Sequence, residues 1–356
     1  MKNICFLVGD LNLAGGTERV TTIVGNALSL DNNVFILSIN NGMSPFFAIK
    51  ENIKISCLFD KSISAKKDAL KIINRLRKYL KDNNIQTLIV VDSISCIFSI
   101  PASIGLGINH ICWEHFGYNI SLGSNFRVLG RRLASIFSNH IVTLTNLDKN
   151  IWTSKISIRS NILAIPNPCP FEIIDMVDDK KKNKIVLAVG RLSHEKGFDL
   201  LLDAWKIVSK MHPNWMLDIV GTGSEEQKLF IQAESLKINH KVIFHGLQSD
   251  LIPFYKKASI FCLPSRVEGF GLALIEAQNF GTPVVAFDCE IGPRELIQHN
   301  RNGILCQEND VISLSNGLMK MIESEEYEYN SYVKESLEFS KKFSIGTIID
   351  QWKQII

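Results

Sequence analysis

Short apolar runs alternate along this chain with amphipathic stretches, and the alternation recurs from end to end. Residues 3–8 (NICFLV) carry apolar side chains continuously rather than at every second position, which predicts a strand buried on both faces. A helical pattern follows through Val20, Ile23, Val24, Ala27 and Leu28. Further strands are predicted at 33–39, 53–57, 86–91, 109–113, 139–144 and 161–165, then at 184–189, 215–220, 241–245, 260–263 and 284–287. Helical patterns lie between them at 64–82, 198–210, after Glu225 and near 249–257, and a last amphipathic helix is predicted over Phe343 to Ile356. Between the strands at 260–263 and 284–287, Leu272, Ile275, Ala277 and Phe280 recur at helical spacing, and Gly281-Thr282-Pro283 turns the chain. Strand, loop, helix, turn, strand is a parallel βαβ unit, and repeated units make an α/β fold.

Composition narrows this picture. A chain of 356 residues suits two domains. With 46 % hydrophobic and 21 % charged residues it can bury sizeable cores and is neither disordered nor membrane-integral. The longest apolar candidate for a span, Leu88 to Trp113, is broken by Asp92 and Pro101. The start, Met1-Lys2-Asn3, leads into too short an apolar run for a secretory signal, so a cytoplasmic protein is expected. Eight scattered cysteines without a C-x-x-C pair read as reduced thiols. Pro166-Asn167-Pro168-Cys169-Pro170 and the charged run Asp178 to Lys184 mark a linker, so domains of 1–168 and 169–342 are expected.

The charge is uneven. Up to Pro168 there are 18 Lys/Arg against 10 Asp/Glu; the remainder carries 21 against 26. The first half is therefore expected to face something anionic. Two stretches concentrate its cations. Residues 64–82 carry Lys66, Lys67, Lys71, Arg75, Arg77, Lys78 and Lys81 around an apolar face, which suits an anionic membrane surface or a solvated helix on a sheet. Residues 121–137 carry Arg127, Arg131 and Arg132, a second candidate surface for anionic lipid or acceptor phosphate. Without interleaved stacking aromatics, neither suggests nucleic acid.

The candidate chemistry gathers at predicted strand ends. After the strand ending at Leu263 comes Glu268-Gly269-Phe270-Gly271-Leu272-Ala273, with Glu276 eight residues beyond Glu268. The glycines leave backbone N–H groups uncovered at a helix start, where the helix dipole favours an anion. Eight residues on a helix return to about the same face, so the spacing places both carboxylates together, one suited to a ribose diol and one to a second sugar. After the strand at 184–189 comes Gly190-Arg191, with Lys196-Gly197 following: two cations before a helix start suit a diphosphate. His115 follows the strand at 109–113, and Gly15-Gly16 precede a helix for which Thr17 is a possible cap. Gly221-Thr222-Gly223-Ser224 mimics a phosphate-binding turn and is read as a structural βα turn. The dinucleotide fingerprint G-x-G-x-x-G is absent, which weighs against a dehydrogenase.

E-G-F-G-L-A-L-I-E-A followed by G-T-P-V-V resembles the E-x7-E signature of family 4 glycosyltransferases, retaining enzymes of the GT-B fold that use nucleotide sugars. The G-G-x-E-R turn at Gly15, the W-E-H-F stretch around His115, I-P-N-P at Ile165, G-R-x-x-x-x-K-G at Gly190 and the G-P-x-E turn at Gly292 are similar to the same family. The resemblance implies two Rossmann-like parallel-sheet domains facing across a cleft, the last helix (343–356) returning to the first. It implies donor contacts from Gly16, Gly269, Phe270, Gly271, Leu272, Ala273 and Glu276, with Leu247 bordering the base. Glu268, Lys196, Arg191 and His115 are the implied catalytic group, Arg191 and Lys196 neutralising the leaving nucleoside diphosphate. No D-x-D motif stands at a predicted strand end, so metal-independent transfer without a cofactor is expected. The implied reaction moves a hexose or N-acetylhexosamine from a UDP-sugar to a lipid-linked saccharide of O-antigen, capsule or exopolysaccharide. The expected location is peripheral, on the anionic inner face of the plasma membrane through the basic first domain. Another GT-B transferase or synthase acting on a soluble acceptor is the alternative. A two-lobed solute-binding protein is a rival of another class, which an export signal would favour.

Overall fold

Among the described residues every strand runs parallel to its neighbours, as the continuous apolar runs require when helices cover both faces of a sheet. The computed structural model describes residues 1–64, 66–121, 123–175 and 183–356. Residues 178–182 of the predicted linker therefore lie outside the described residues. The chain divides into one unit of Met1–Pro170 with Ile345–Ile356 and a second of Phe171–Ser344.

The first unit contains β1 (Asn3–Val8), α1 (Gly16–Leu28), β2 (Asn33–Asn40), β3 (Lys54–Phe59), α2 (Ala69–Asp82), β4 (Thr87–Val91), α3 (Cys96–Ser103), β5 (Asn109–Trp113), α4 (Asn125–Phe137), β6 (His140–Thr143), α5 (Asn146–Lys155) and β7 (Asn161–Ala164). Its sheet has the order β3-β2-β1-β4-β5-β6-β7, so the direction of winding reverses at β1 and β4. The apolar stretch from Leu88 to Trp113 resolves into β4, a tight turn, α3 and β5. Asp92 makes that turn with φ 75°, its carboxylate accepting from Ile94 N at 3.2 Å. α1 begins at Gly16 with Gly15 at its N-cap position, so Thr17 lies inside the first turn instead of capping it.

The second unit contains β8 (Ile185–Val189), α6 (Phe198–Met211), β9 (Met216–Val220), α7 (Glu226–Ser235), β10 (Val242–Phe244), α8 (Ile252–Lys257), β11 (Ile260–Leu263), α9 (Leu272–Asn279), β12 (Val284–Phe287), α10 (Pro293–Leu296), β13 (Gly303–Cys306), α11 (Val311–Glu323) and α12 (Glu326–Ser340). Its sheet order is β10-β9-β8-β11-β12-β13, with the reversal between β8 and β11. A core around Trp205, Leu217, Ile260, Val285 and Leu318 fills the space between sheet and helices.

The final helix, α13 (Ile345–Lys353), belongs to the first unit. Trp352 is fully buried there, its ring 4.8 Å from that of Trp113 at the end of β5. Lys353 pairs with Asp31 at 2.6 Å, and Asn109 Nδ2 donates to Ile355 O at 2.7 Å.

Candidate functional site

β8 and β11 pair directly, so the loops leaving their carboxyl ends emerge side by side. The first loop makes a 3-10 turn over His194–Lys196 and ends at Gly197, whose φ of 67° is left-handed. A Cβ there would lie 2.0 Å from Pro264 O, so only glycine permits the approach of the second loop. Arg266 fastens the two. Its backbone N–H donates to Glu195 O at 2.9 Å, and its guanidinium reaches Asp199 through two bonds of 2.7 and 2.6 Å and His194 O at 2.7 Å.

This fastening sets Lys196 Nζ 2.6 Å from Glu268 Oε1, which also accepts from Ser265 Oγ at 2.7 Å. Glu268 is buried, whereas the Lys196 side chain keeps 29 % of its surface open. Arg191 is exposed beyond β8. The Glu195 carboxyl sits below the ordinary carboxylate range. Burial pushes it up, but its own backbone N–H and the charges of Lys196 and Arg191 outweigh that effect. Both cations therefore act on one neighbourhood.

Behind the second loop, Gly271 adopts φ 98° and starts α9, whose first N–H groups have no partner within the helix. The helix begins at Leu272, so Glu268 stands on the loop and only Glu276 rides on the helix. The eight-residue spacing therefore does not place the two carboxylates on one helical face, because the left-handed Gly271 intervenes. Glu276 is buried, and its Oε2 accepts from Tyr255 Oη of α8 at 2.8 Å. Phe270 is buried with its ring 5.9 Å from Phe343, while Gly269, Leu272 and Ala273 are half-buried. Leu247 is exposed in the loop after β10. The turn through Gly292 presses on the back of the Glu268 loop: a Cβ at Gly292 would meet Phe270 O at 2.6 Å. Gly221 and Gly223 are packed against the carbonyls of Gly190 and Leu192 with no room for a side chain, so that turn props the Arg191 loop.

In the first unit, β5 delivers Glu114 and His115. The His115 ring lies 4.5 Å from Trp113, and its Nε2 has no hydrogen-bond partner among the described residues. Burial pulls its pKa down to about 3, so it is neutral. Helix α4 holds this loop from below. Arg131 Nε donates to Glu114 Oε2 at 3.0 Å, and the rest of its guanidinium donates to the carbonyls of Gly117 (3.0 Å), Ile120 (2.9 Å) and Tyr118. Arg127 pairs with Asp92 at 2.6 Å and lies over the Phe116 ring. Burial and the Glu114 charge push the Asp92 carboxyl up to about 6 despite Arg127. Arg127 and Arg131 are thus buried and engaged internally, which corrects the expectation of a cationic surface at 121–137; Arg132 alone of the three faces solvent. On α2 and just before it, Lys66, Lys67, Lys71, Arg75, Lys78 and Lys81 are exposed and Arg77 is half-buried; Arg75 and Arg77 donate to backbone carbonyls of Leu58, Ala102 and Ile104. Gly16 opens α1 with nothing within 4 Å of where its Cβ would lie.

Sequence reasoning missed Ser265, the Arg266–Asp199 pair, Tyr255 and the Arg131 clamp. The available signal was opposite charge within three residues of a candidate: Asp199 after Lys196, Arg266 before Glu268. Replacing Arg266 with alanine is expected to cost about 1 kcal/mol, since the pair is half-open to solvent. Amide exchange at Arg266 and Val267 should rise together as the loops part. Lysine should not restore protection, because it cannot span Asp199 and His194 O at once. Unchanged exchange in the alanine variant would mean that the two loops are held by something else.

Among the described residues, no group of three or more His, Cys, Asp and Glu is placed to hold a metal ion, and no helix is long and apolar enough to cross a membrane. The family model "Glycosyl transferases group 1" matches residues 172–336. Over 357 residues, all of both chains, the sequence is 39 % identical to an uncharacterized glycosyltransferase of Haemophilus influenzae. It is 30 % identical to the Campylobacter jejuni GalNAc-alpha-(1->4)-GalNAc-alpha-(1->3)-diNAcBac-PP-undecaprenol alpha-1,4-N-acetyl-D-galactosaminyltransferase, across 100 % of this chain and 98 % of that one. Among solved structures, Anabaena HepE in complex with UDP and glucose superposes with a TM-score of 0.82 at 18 % identity, covering 99 % of each chain, a likeness of fold.

Proposed function

The chain belongs to the group 1 glycosyl transferases and has the paired parallel sheets of the GT-B fold, and from that premise we propose that it is a retaining, metal-independent hexosyltransferase. It would move a hexose or N-acetylhexosamine from a UDP-sugar to a lipid-linked saccharide in the assembly of a surface polysaccharide. The observation that carries this reading is the contact of Lys196 with Glu268 beside the open N-terminus of α9. A cation, an acid and helix-start amides without a side-chain cap on one loop pair suit a sugar diphosphate. UDP in the complex of the Anabaena protein supports the donor class. The PP-undecaprenol in the name of the Campylobacter relative supports the acceptor class.

In this reading Lys196 and Arg191 take up the negative charge that grows on the diphosphate as the anomeric C–O bond breaks, together with the first N–H groups of α9. These fixed charges supply the electrostatic help that a metal ion gives elsewhere. The leaving phosphate oxygen accepts the acceptor proton on the same face, so the anomeric configuration is retained. Glu268 holds sugar hydroxyls, and Glu276, oriented by Tyr255, takes the ribose diol. In the first unit, His115 with its unpartnered Nε2 and Gly16 with open space at its Cβ position are the contacts that the family resemblance offers. The exposed lysines on and beside α2 support peripheral contact with an anionic inner-leaflet surface.

A panel of UDP-, GDP- and ADP-sugars with the purified protein tests the donor. A UDP-sugar should raise the unfolding midpoint and be slowly hydrolysed; no shift and no turnover with any of them would end the reading. Glu276→Gln should lose about 1.5–3 kcal/mol of charge-assisted hydrogen bonding, seen as an increase of about 10- to 150-fold in donor KM with kcat nearly kept. An unchanged KM would remove Glu276 from the ribose site.

A further inference from the structure

In a doubly wound sheet the connections part company at the reversal point, leaving a crevice outside the carboxyl ends of the two strands there. In the first unit those strands are β1 and β4. A cavity of about 180 Å³ lies at that place. Gly9, just past β1, and Ile94, just past β4, form part of its wall, with Ile39 of β2, Ile72 of α2 and Ile97 and Phe98 of α3. Such a crevice would need hydrogen-bond donors to hold a phosphate or a sugar. This one offers mostly isoleucine and phenylalanine side chains; of its two polar wall residues, Asn40 and Ser95, Asn40 already accepts from Ile63 N at 3.2 Å.

Size and charge narrow the guest. Apolar cavities of about 150 Å³ stay dry and admit a benzene-sized guest. Whole small-molecule ligands occupy about 300 Å³ or more, so only an apolar fragment enters and the rest of its molecule stays outside. The wall residues Ile63 and Ile72 bracket a stretch that carries exposed Lys66, Lys67 and Lys71, with exposed Lys61 just before it. The acids of the same stretch are Asp60 and Asp68, and Asp68 is paired with Lys71 at 2.9 Å. An apolar hollow with exposed lysines in the stretch between two of its wall residues is complementary to a short apolar group joined to an anionic head.

We propose that this cavity receives the first prenyl group of a prenyl-diphosphate-linked acceptor, with the lysines of residues 61–71 toward its phosphates. The inference rests on the lipid-linked acceptor of the preceding reading and adds the place where the lipid is gripped. A branched five-carbon unit suits a short isoleucine-walled hollow better than a straight acyl chain does.

Titration calorimetry of the full chain with farnesyl diphosphate, farnesol and inorganic diphosphate separates the two contributions. Farnesyl diphosphate should bind at least about tenfold tighter than inorganic diphosphate, the scale of one apolar group in a fitted pocket. Gly9→Leu fills the hollow; nothing lies within 4 Å of the Gly9 Cβ position, so the side chain has room. That variant, and Ile97→Trp, should lose the prenyl margin while binding inorganic diphosphate as before. In transfer assays both should raise KM for a prenyl-linked saccharide by about tenfold and leave transfer to the same saccharide on a short soluble aglycone unchanged. Equal binding of the two diphosphates, or filled variants that keep the margin, would overturn the proposal while the lipid-linked reading stands. A native protein that glycosylates only the soluble saccharide would overturn both. A photoreactive farnesyl diphosphate needs no variant: label on peptides containing Ile39, Ile72 or Phe98 supports the cavity, and label elsewhere refutes it.

Discussion

Lys196→Ala is expected to lower kcat by about 10²–10³-fold, the scale seen when one preorganised stabiliser of transition-state charge is removed. The Lys196 ammonium does two things at once. It neutralises Glu268, a carboxylate with 7 % of its side chain open, and it keeps enough open surface to meet a phosphate. Its removal leaves Glu268 with Ser265 Oγ in place of a cation and, in the proposed mechanism, takes the charge from the leaving group. The loss should fall on kcat more than on donor KM, because the phosphate is more negative in the transition state than in the bound donor. Lys196→Arg should recover part of the rate. Steady-state kinetics with a UDP-sugar decides the matter. A Lys196→Ala protein with native turnover, or one whose activity depends on an added divalent cation, would contradict the metal-independent scheme.

Arg131→Ala is expected to destabilise the first unit by about 3–5 kcal/mol, the cost of removing one member of a buried ion pair. Arg131 is buried, and its guanidinium makes four hydrogen bonds, one to the Glu114 carboxylate and three to carbonyls of the loop behind it. Alanine takes the closest cation from a buried carboxylate that keeps Ser93 Oγ, the Phe116 N–H and Arg127 at 3.7 Å, and takes one donor from each carbonyl; each weakened group carries a desolvation cost. Lysine should recover little, since a single ammonium cannot reach four acceptors set around a plane. Urea unfolding followed through the tryptophans of the first unit measures the loss. A cost under about 1 kcal/mol would place this pair among ordinary surface bridges.

The two loops of the second unit show how far one sequence can be read. Lys196, Glu268 and the glycines around them were legible because their chemistry is local: a cation or an acid at a strand end, next to a helix start. Their partners were not. Asp199 and Arg266 lie 67 positions apart, and only the pairing of β8 with β11 brings them together. The same holds for Tyr255 and Glu276, and for Arg127 and Arg131. Those arginines read as surface cations until β4 and β5 are paired and set Asp92 and Glu114 beneath α4.

The fold was legible where strands are continuously apolar, as in β1, β4, β11 and β12. It was not legible at β13, four residues entered through the polar Asn300-Arg301-Asn302, nor at α3, a short helix that carries Pro101 inside it. Glu268 and Glu276 show a spacing rule failing for a stated reason. Helical periodicity cannot be carried across Gly271, whose backbone is left-handed.

The attachment of α13 bears on how the molecule is made. A ribosome releases the seven strands of the first sheet long before it reaches Trp352, and early domains fold while later ones are still being synthesised. Until residues 345–356 emerge, the indole of Trp113 lacks its neighbour and the Asn109 amide lacks the Ile355 carbonyl. The nascent first unit therefore waits, with an apolar seam uncovered, while the whole second unit is translated. A chain stalled or clipped a few residues early would present that seam to chaperones, even with every residue of the Lys196–Glu268 site in place.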